Sequence, residues 1–265
     1  MAEEKRKPVL ETRKLGISFG GLKAVNDFNI ELCQGELVGL IGPNGAGKTT
    51  VFNLLTGVYA PTEGTVLLDG VPLNGRKTWQ FVAAGVARTF QNLRLFKPMT
   101  VIENVKAAFT KDISYGLFDA ALRTPRFWRV ERELDERAME LLRICKLDDA
   151  AGLPAASLPY GRQRKLEIAR ALATNMKVLL LDEPAAGMNP TETAELLECI
   201  NAIRDSFKVA ILLIEHDMSL VMNVCERIQV IDYGQTIAAG LPAEIAADPK
   251  VIAAYLGECG GKKNA

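Results

Sequence analysis

One run of residues constrains this chain more than any other. The apolar stretch Leu37–Ile41 leads without a break into Gly42-Pro43-Asn44-Gly45-Ala46-Gly47-Lys48-Thr49, and Thr50-Val51-Phe52-Asn53-Leu54-Leu55 follows at helical spacing. This is G-x-x-x-x-G-K-T between a strand and a helix, the setting in which that pattern cradles phosphates. The glycines let backbone N–H groups converge on phosphate oxygens, and the helix N-terminus adds a favourable potential. The candidate phosphate-binding residues are therefore Gly42, Pro43, Asn44, Gly45, Ala46, Gly47, Lys48, Thr49 and Thr50, with Lys48 directed at the β- and γ-phosphates and the Thr49 hydroxyl a ligand for Mg²⁺.

A loop of this kind needs a sheet behind it, and the rest of the chain supplies one. Apolar, β-rich runs recur at 65–68, 178–181, 209–214 and 228–231, most of them alternating with helical patterns, which is the rhythm of an α/β domain. The runs at 178–181 and 209–214 lack polar alternation, as expected of central strands covered on both faces of a mostly parallel sheet. Between 92 and 157 strand signals vanish and charge-rich helical text such as 129–146 takes over, so a helical lobe is expected to interrupt the core. Residues 257–265 read as a polar tail.

Two further strand ends carry chemistry. Val178-Leu179-Leu180-Leu181 runs into Asp182 and Glu183, which places two carboxylates at the edge of the sheet where ligands of open α/β sheets sit. Asp182 suits Mg²⁺ held through water, and Glu183 suits the group that orients and polarises an attacking water. Two acids there could also merely cap the next segment. His216, the chain's single histidine, follows the apolar run at 209–214, one strand-helix-strand step after Glu183. Its side chain is expected at the same edge, within reach of a γ-phosphate, although a lone histidine beside a strand is often structural. Gln91, in Arg88-Thr89-Phe90-Gln91-Asn92, ends a short apolar stretch where core meets lobe, and an amide there could touch both metal and water.

Composition narrows the classes of partner. The 32 basic residues balance the 32 acidic ones, so no bulk positive field recruits nucleic acid or an anionic surface. Charge-free stretches such as 51–62 and 150–161 fall well short of the ~20 residues that cross a bilayer, and the start M-A-E-E-K-R-K-P carries no secretory signal. A cytoplasmic chain is the expectation. Five scattered cysteines, never paired as C-x-x-C, read as reduced small hydrophobes rather than a disulfide framework or zinc site.

Between the two nucleotide motifs lies Ser157-Leu158-Pro159-Tyr160-Gly161-Arg162-Gln163-Arg164-Lys165-Leu166-Glu167-Ile168-Ala169-Arg170-Ala171-Leu172. It resembles the signature region of ATP-binding-cassette ATPases, and residues 5–256 fit that family in motif order. R-T-F-Q, D-E-P-A-A-G-M-N-P, L-L-I-E-H-D-M and the ending A-Y-L-G-E resemble the ATP-binding subunits of branched-chain amino-acid importers. The resemblance implies a P-loop NTPase core of RecA type with a mostly parallel sheet, an N-terminal antiparallel β region and an inserted helical subdomain at 92–157, the core being 5–91 and 158–256. It also implies a head-to-tail sandwich in which ATP lies between the P-loop of one copy and Gly161 and Arg162 at the signature helix of another, identical or sister. Phe19 matches the adenine-stacking position, although a strand phenylalanine is otherwise core. Two departures stand out: Pro159-Tyr160-Gly161-Arg162 replaces the family's Ser-Gly-Gly-Gln, and Asn189 replaces an aspartate.

The function implied is ATP hydrolysis on the cytoplasmic face of the inner membrane, driving uptake through separate transmembrane permease subunits supplied by a periplasmic amino-acid-binding protein. Leu93, Leu95, Phe96 and Met99 would offer such subunits an apolar surface, unless they are lobe core. A soluble single-cassette ATPase in cofactor or cluster assembly is the competing reading. A GTPase switch is not, since N-K-x-D is absent.

Overall fold

The computed structural model describes residues 7–260, without the side chains of 110–112 and 256–260. The described strands are β1 (Pro8–Phe19), β2 (Leu22–Phe28), β3 (Glu31–Cys33), β4 (Leu37–Ile41), β5 (Glu63–Leu68), β6 (Val71–Pro72), β7 (Val86–Arg88), β8 (Val178–Asp182), β9 (Ala210–Ile214), β10 (Arg227–Asp232) and β11 (Gln235–Gly240). The α-helices are α1 (Lys48–Leu55), α2 (Thr78–Ala84), α3 (Val101–Lys106), α4 (Leu117–Leu122), α5 (Pro125–Ile144), α6 (Tyr160–Leu172), α7 (Pro190–Phe207), α8 (Met218–Val224), α9 (Pro242–Ala247) and α10 (Pro249–Gly260). None is long and apolar enough to cross a membrane. The chain divides into two compact units, one of 1–88, 177–184 and 204–265, the other of 89–176 and 185–203.

All the strands belong to the first unit. Six form a sheet in the order β11-β10-β4-β9-β8-β7, parallel except for the β10–β11 pair. Every residue of β4, β8 and β9 is buried, as their unbroken apolar text requires. Parallel pairing sends the C-terminal ends of β4, β8 and β9 to one edge. Asp182 pairs with Ile214, so the residues after the two strands leave the sheet side by side. Helix α1 buries Val51, Phe52, Leu54 and Leu55 in one cluster with Val38, Leu40, Leu180, Leu212 and Ile214. Trimming such a residue to alanine costs about 2–5 kcal/mol.

The N-terminal antiparallel region is present: β2, β1, β5 and β6 follow one another, with β3 on β1. Register shifts break each of β1's pairings, and Lys14 lies at φ 49°. Such irregularities disrupt period-two alternation, which is why this sheet was expected from the resemblance and not from patterning.

The second unit is helical and extends beyond 92–157. It takes in α6 and most of α7, because α6 buries Leu166, Ile168, Ala169 and Leu172 and packs on α3 and α5. Capping sets its helix starts: Thr100 Oγ1 accepts from the Glu103 N–H while Glu103 accepts from the Thr100 N–H, and Thr124 precedes Pro125 at the head of α5. Of the expected tail, 257–260 continue α10, and 261–265 lie outside the described residues. Cys33, Cys145, Cys199 and Cys225 form no disulfide; the Cys259 side chain lies outside those described.

Candidate nucleotide site

The loop after β4 is folded around its own lysine. Lys48, the first residue of α1, is buried, and its Nζ donates to the carbonyls of Gly42 at 2.6 Å and Pro43 at 2.9 Å. The ammonium thus closes the loop from inside, with Asn44, Gly45 and Thr49 on the outer surface. Two glycines are obligatory. A Cβ on Gly42 would lie 2.0 Å from the Ile231 carbonyl oxygen, and one on Gly47, at φ 104°, would lie 2.9 Å from that of Ala24. Ala46 accepts from the Gly234 N–H at 2.8 Å, and Asn26 donates to the Gly234 carbonyl, also at 2.8 Å, so the β10–β11 turn pins the loop to β2.

The carboxylates expected at the sheet edge have distinct surroundings. Asp182 is buried, and its Oδ2 accepts from Arg88 Nη2 at 2.5 Å. Arg88, the last residue of β7, also donates from Nη1 to Asn53 Oδ1 at 2.7 Å and lies 5.4 Å from the Phe52 ring centroid. One guanidinium thereby ties the acid to the helix that begins with Lys48. Glu183 stands next in the chain at φ 46°, a left-handed conformation that is costly for a residue with a side chain. Its N–H donates to the Ile214 carbonyl at 2.9 Å, extending the β8–β9 ladder one residue before the turn. Its Oε1 lies 2.8 Å from Nε2 of His216. The chain leaving β9 thus brings His216 to the same edge as Glu183. Asp217 caps α8 just beyond, accepting from the N–H groups of Ser219 and Leu220.

Phe19 ends β1 and is 46% exposed, so it is not core; its ring meets Tyr59 edge-on at 5.3 Å. The hard oxygen donors Thr49 and Asp182 are of the class that holds Mg²⁺, which supports the fit of that ion.

The remaining candidates lie in the second unit. Gln91 is exposed, on a loop strapped to α6. Arg164, fully buried, donates to the carbonyls of Phe90 at 2.6 Å and Gln91 at 2.9 Å and pairs with Glu167 at 2.7 Å. Arg170 donates to the Arg94 carbonyl, and Arg94 lies over the Phe90 ring at 4.0 Å. Pro159 caps α6 without a side-chain bond. Gly161 is buried against Glu192, where a Cβ would sit 3.2 Å from Oε1. Arg162 pairs with Asp149, whose carboxyl that hydrogen bond lowers below its usual range. Asn189 and Glu192 cap α7 reciprocally at 2.9 and 3.1 Å, so the asparagine serves where an aspartate was expected. Leu93, Leu95 and Met99 are half-buried and Phe96 is exposed, so these four are not lobe core.

The profile of the ABC transporter family matches residues 25–186. The chain belongs to that family. A second profile, described as branched-chain amino acid ATP-binding cassette transporter, matches 235–258. The cassette is 51% identical over 251 residues to the high-affinity branched-chain amino acid transport ATP-binding protein LivG of Escherichia coli K12, covering 95% of this chain and 98% of that one. It is 47% identical over 252 residues to BraF of Pseudomonas aeruginosa, a protein of the same description, covering 95% and 99%. A solved ATP-binding cassette of an ABC transporter, in its ADP conformation, superposes with a TM-score of 0.82 at 29% identity, covering 95% of this chain and 99% of that one.

Sequence reasoning missed Arg88, the partner of Asp182, and the Arg164–Glu167 pair beneath the loop that carries Gln91. The first left a faint signal, a charge closing an otherwise apolar strand. The other two sit one helical turn apart on a helix whose remaining text is the family signature, and nothing in the spacing distinguishes a buried arginine from an exposed one.

Proposed function

We propose that this cassette hydrolyses ATP to drive import of branched-chain amino acids through separate membrane-spanning subunits. The observation that carries the reading is the single edge at which the Lys48 loop, Asp182 and the Glu183–His216 pair emerge from adjacent parallel strands. The profile match at 235–258 and the near full-length likeness to LivG and BraF support the class of transported molecule.

ATP phosphates would take the place of the Gly42 and Pro43 carbonyls as acceptors for Lys48, the loop N–H groups surrounding them, with Phe19 against the adenine. Mg²⁺, held by Thr49 and Asp182, would neutralise charge on the β- and γ-phosphates. Glu183 accepts a proton from the attacking water. His216, hydrogen-bonded to Glu183 Oε1, fixes that oxygen's direction and would hydrogen-bond a γ-phosphate. Gln91, Gly161 and Arg162 are assigned to metal and water sensing and to phosphate contact across a pair of cassettes, identical or sister. Arg162 must leave Asp149 to take part. The cassette would then work at the cytoplasmic face of the membrane, with a periplasmic amino-acid-binding protein delivering substrate on the far side.

The test joins chemistry to transport. Glu183→Gln should retain ATP binding and lower turnover by roughly 10²–10⁴-fold. When the wild-type chain is co-expressed with candidate membrane-spanning subunits, they should purify together and, with the binding protein outside, take up radiolabelled leucine in vesicles only with ATP inside. Full hydrolysis by the variant removes Glu183 from the base role, and failure to associate with any membrane-spanning subunit removes the transport reading.

A further inference from the structure

Phe19 stands at the end of β1, where the hairpin does nothing to set the direction of its ring. The turn that follows runs through Gly20, at φ 58°, and Gly21, and a Cβ on either would meet nothing within 4 Å. Leu22, its partner across the ladder, is itself 71% exposed. A half-exposed ring in such a place samples several rotamers, and a ligand that stacks on it bears the entropic cost of holding it still.

Tyr59 supplies the missing constraint. Its ring meets that of Phe19 edge-on, 5.3 Å between centroids and 73° between planes, an arrangement that two aromatic quadrupoles favour. Tyr59 is in turn fixed from both sides. Gly57, at φ 68°, turns the chain out of α1 where a Cβ would lie 2.4 Å from the Phe81 ring, and the N–H groups of Val58 and Tyr59 donate to the Asn53 carbonyl at 2.9 and 3.1 Å. Three residues beyond Tyr59, Thr62 donates to the Gly16 carbonyl from its N–H at 2.9 Å and from its hydroxyl at 3.3 Å, and Glu63 pairs with Gly16 as β5 begins. The loop therefore runs from the end of the helix that starts with Lys48 to the strand that ends with Phe19. An aromatic ring left 37% exposed on a loop so firmly pinned adds little to the core; its contact with Phe19 is what the pinning preserves.

We infer that Tyr59 is a positioning residue for the nucleotide base: packed edge-on, it holds the Phe19 ring ready to stack on the adenine. The inference rests on the assignment of Phe19 to the adenine and extends it to a second residue. The test compares a ligand that has a base with one that has none, each displacing a fluorescent ATP analogue from the full-length protein. Tyr59→Ala should weaken ATP binding about 3- to 10-fold and raise KM for ATP by a similar factor, while kcat and the affinity for inorganic tripolyphosphate stay as in the wild type. Tyr59→Phe, which keeps the ring, should bind ATP as the wild type does. Phe19→Ala should weaken ATP binding at least as much, and adding Tyr59→Ala to it should bring no further loss. If Phe19→Ala leaves ATP affinity unchanged, the base does not lie on Phe19, and that assignment falls together with the inference. If Phe19→Ala weakens ATP binding but Tyr59→Ala does not, the inference alone is overturned. It is equally overturned if Tyr59→Ala weakens ATP and tripolyphosphate alike, which would make Tyr59 a structural part of the loop, or if Tyr59→Phe binds as poorly as Tyr59→Ala.

Discussion

Arg88 and Asp182 show how much a single buried contact carries. Both side chains are more than nine-tenths buried, and the guanidinium reaches Asn53 on α1 as well as the carboxylate on β8. Arg88→Ala would leave Asp182 buried beside no counter-charge, a change that costs about 3–5 kcal/mol. Urea denaturation should show a loss of that size, with Arg88→Lys between the two; an unchanged midpoint would mean that solvent already screens the pair. Lys48 is a different case, because its two carbonyl partners belong to its own loop. Lys48→Ala should therefore cost little stability and yet remove nucleotide binding, as read by titration with a fluorescent ATP analogue. Retained micromolar affinity would contradict the assignment of the loop. The phosphate loop, the strand-end acids and His216 were legible in the sequence because each sits where a strand stops. Arg88 was not, since only the fold reveals that its neighbour across the sheet is Asp182.

At the scale of elements, α6 does two things with one sequence. Its first turn presents the signature residues, and its second buries Glu167 against Arg164, whose guanidinium holds the carbonyls of Phe90 and Gln91. Arg164→Met alone should destabilise the protein by about 3–5 kcal/mol, because Glu167 would stay buried and charged. Arg164→Met with Glu167→Leu should regain most of that in denaturation experiments while hydrolysis stays low, since the carbonyls at Phe90 and Gln91 lose their donors. Recovery of hydrolysis in the double variant would show that the strap is only structural. The central strands β4, β8 and β9 could be read directly because burial on both faces leaves uninterrupted apolar text. Strand β1 could not, because its bulges scramble the alternation that would have announced it. The packing of α6 on α3 and α5 is likewise not written in its own text, which reads as part of the run toward β8.

For the molecule as a whole, acid–base behaviour follows from what the sheet buries. Cys225, at the end of α8, lies behind β4, where a Cβ on Gly39 would come within 3.1 Å of its Sγ. Burial, with the charge of Glu226 adding to it, pushes this thiol up to about 12. An unfolded thiol titrates near ~8.5, so its contribution to stability is intact below that range and is lost as pH climbs through about 12. Native protein at pH 8 should therefore leave Cys225 unlabelled by iodoacetamide in peptide mapping, and denaturant should expose it; rapid native labelling would refute the burial. A last consequence concerns how the gene can be rearranged. Because the Gly234 turn holds Ala46 with its N–H and Asn26 with its carbonyl, a circular permutant opened there would forfeit both bonds and loosen the phosphate loop from a distance of nearly two hundred residues. New termini at the exposed Gly75 turn would spare them, which makes that turn the safer place to cut the chain or insert a reporter.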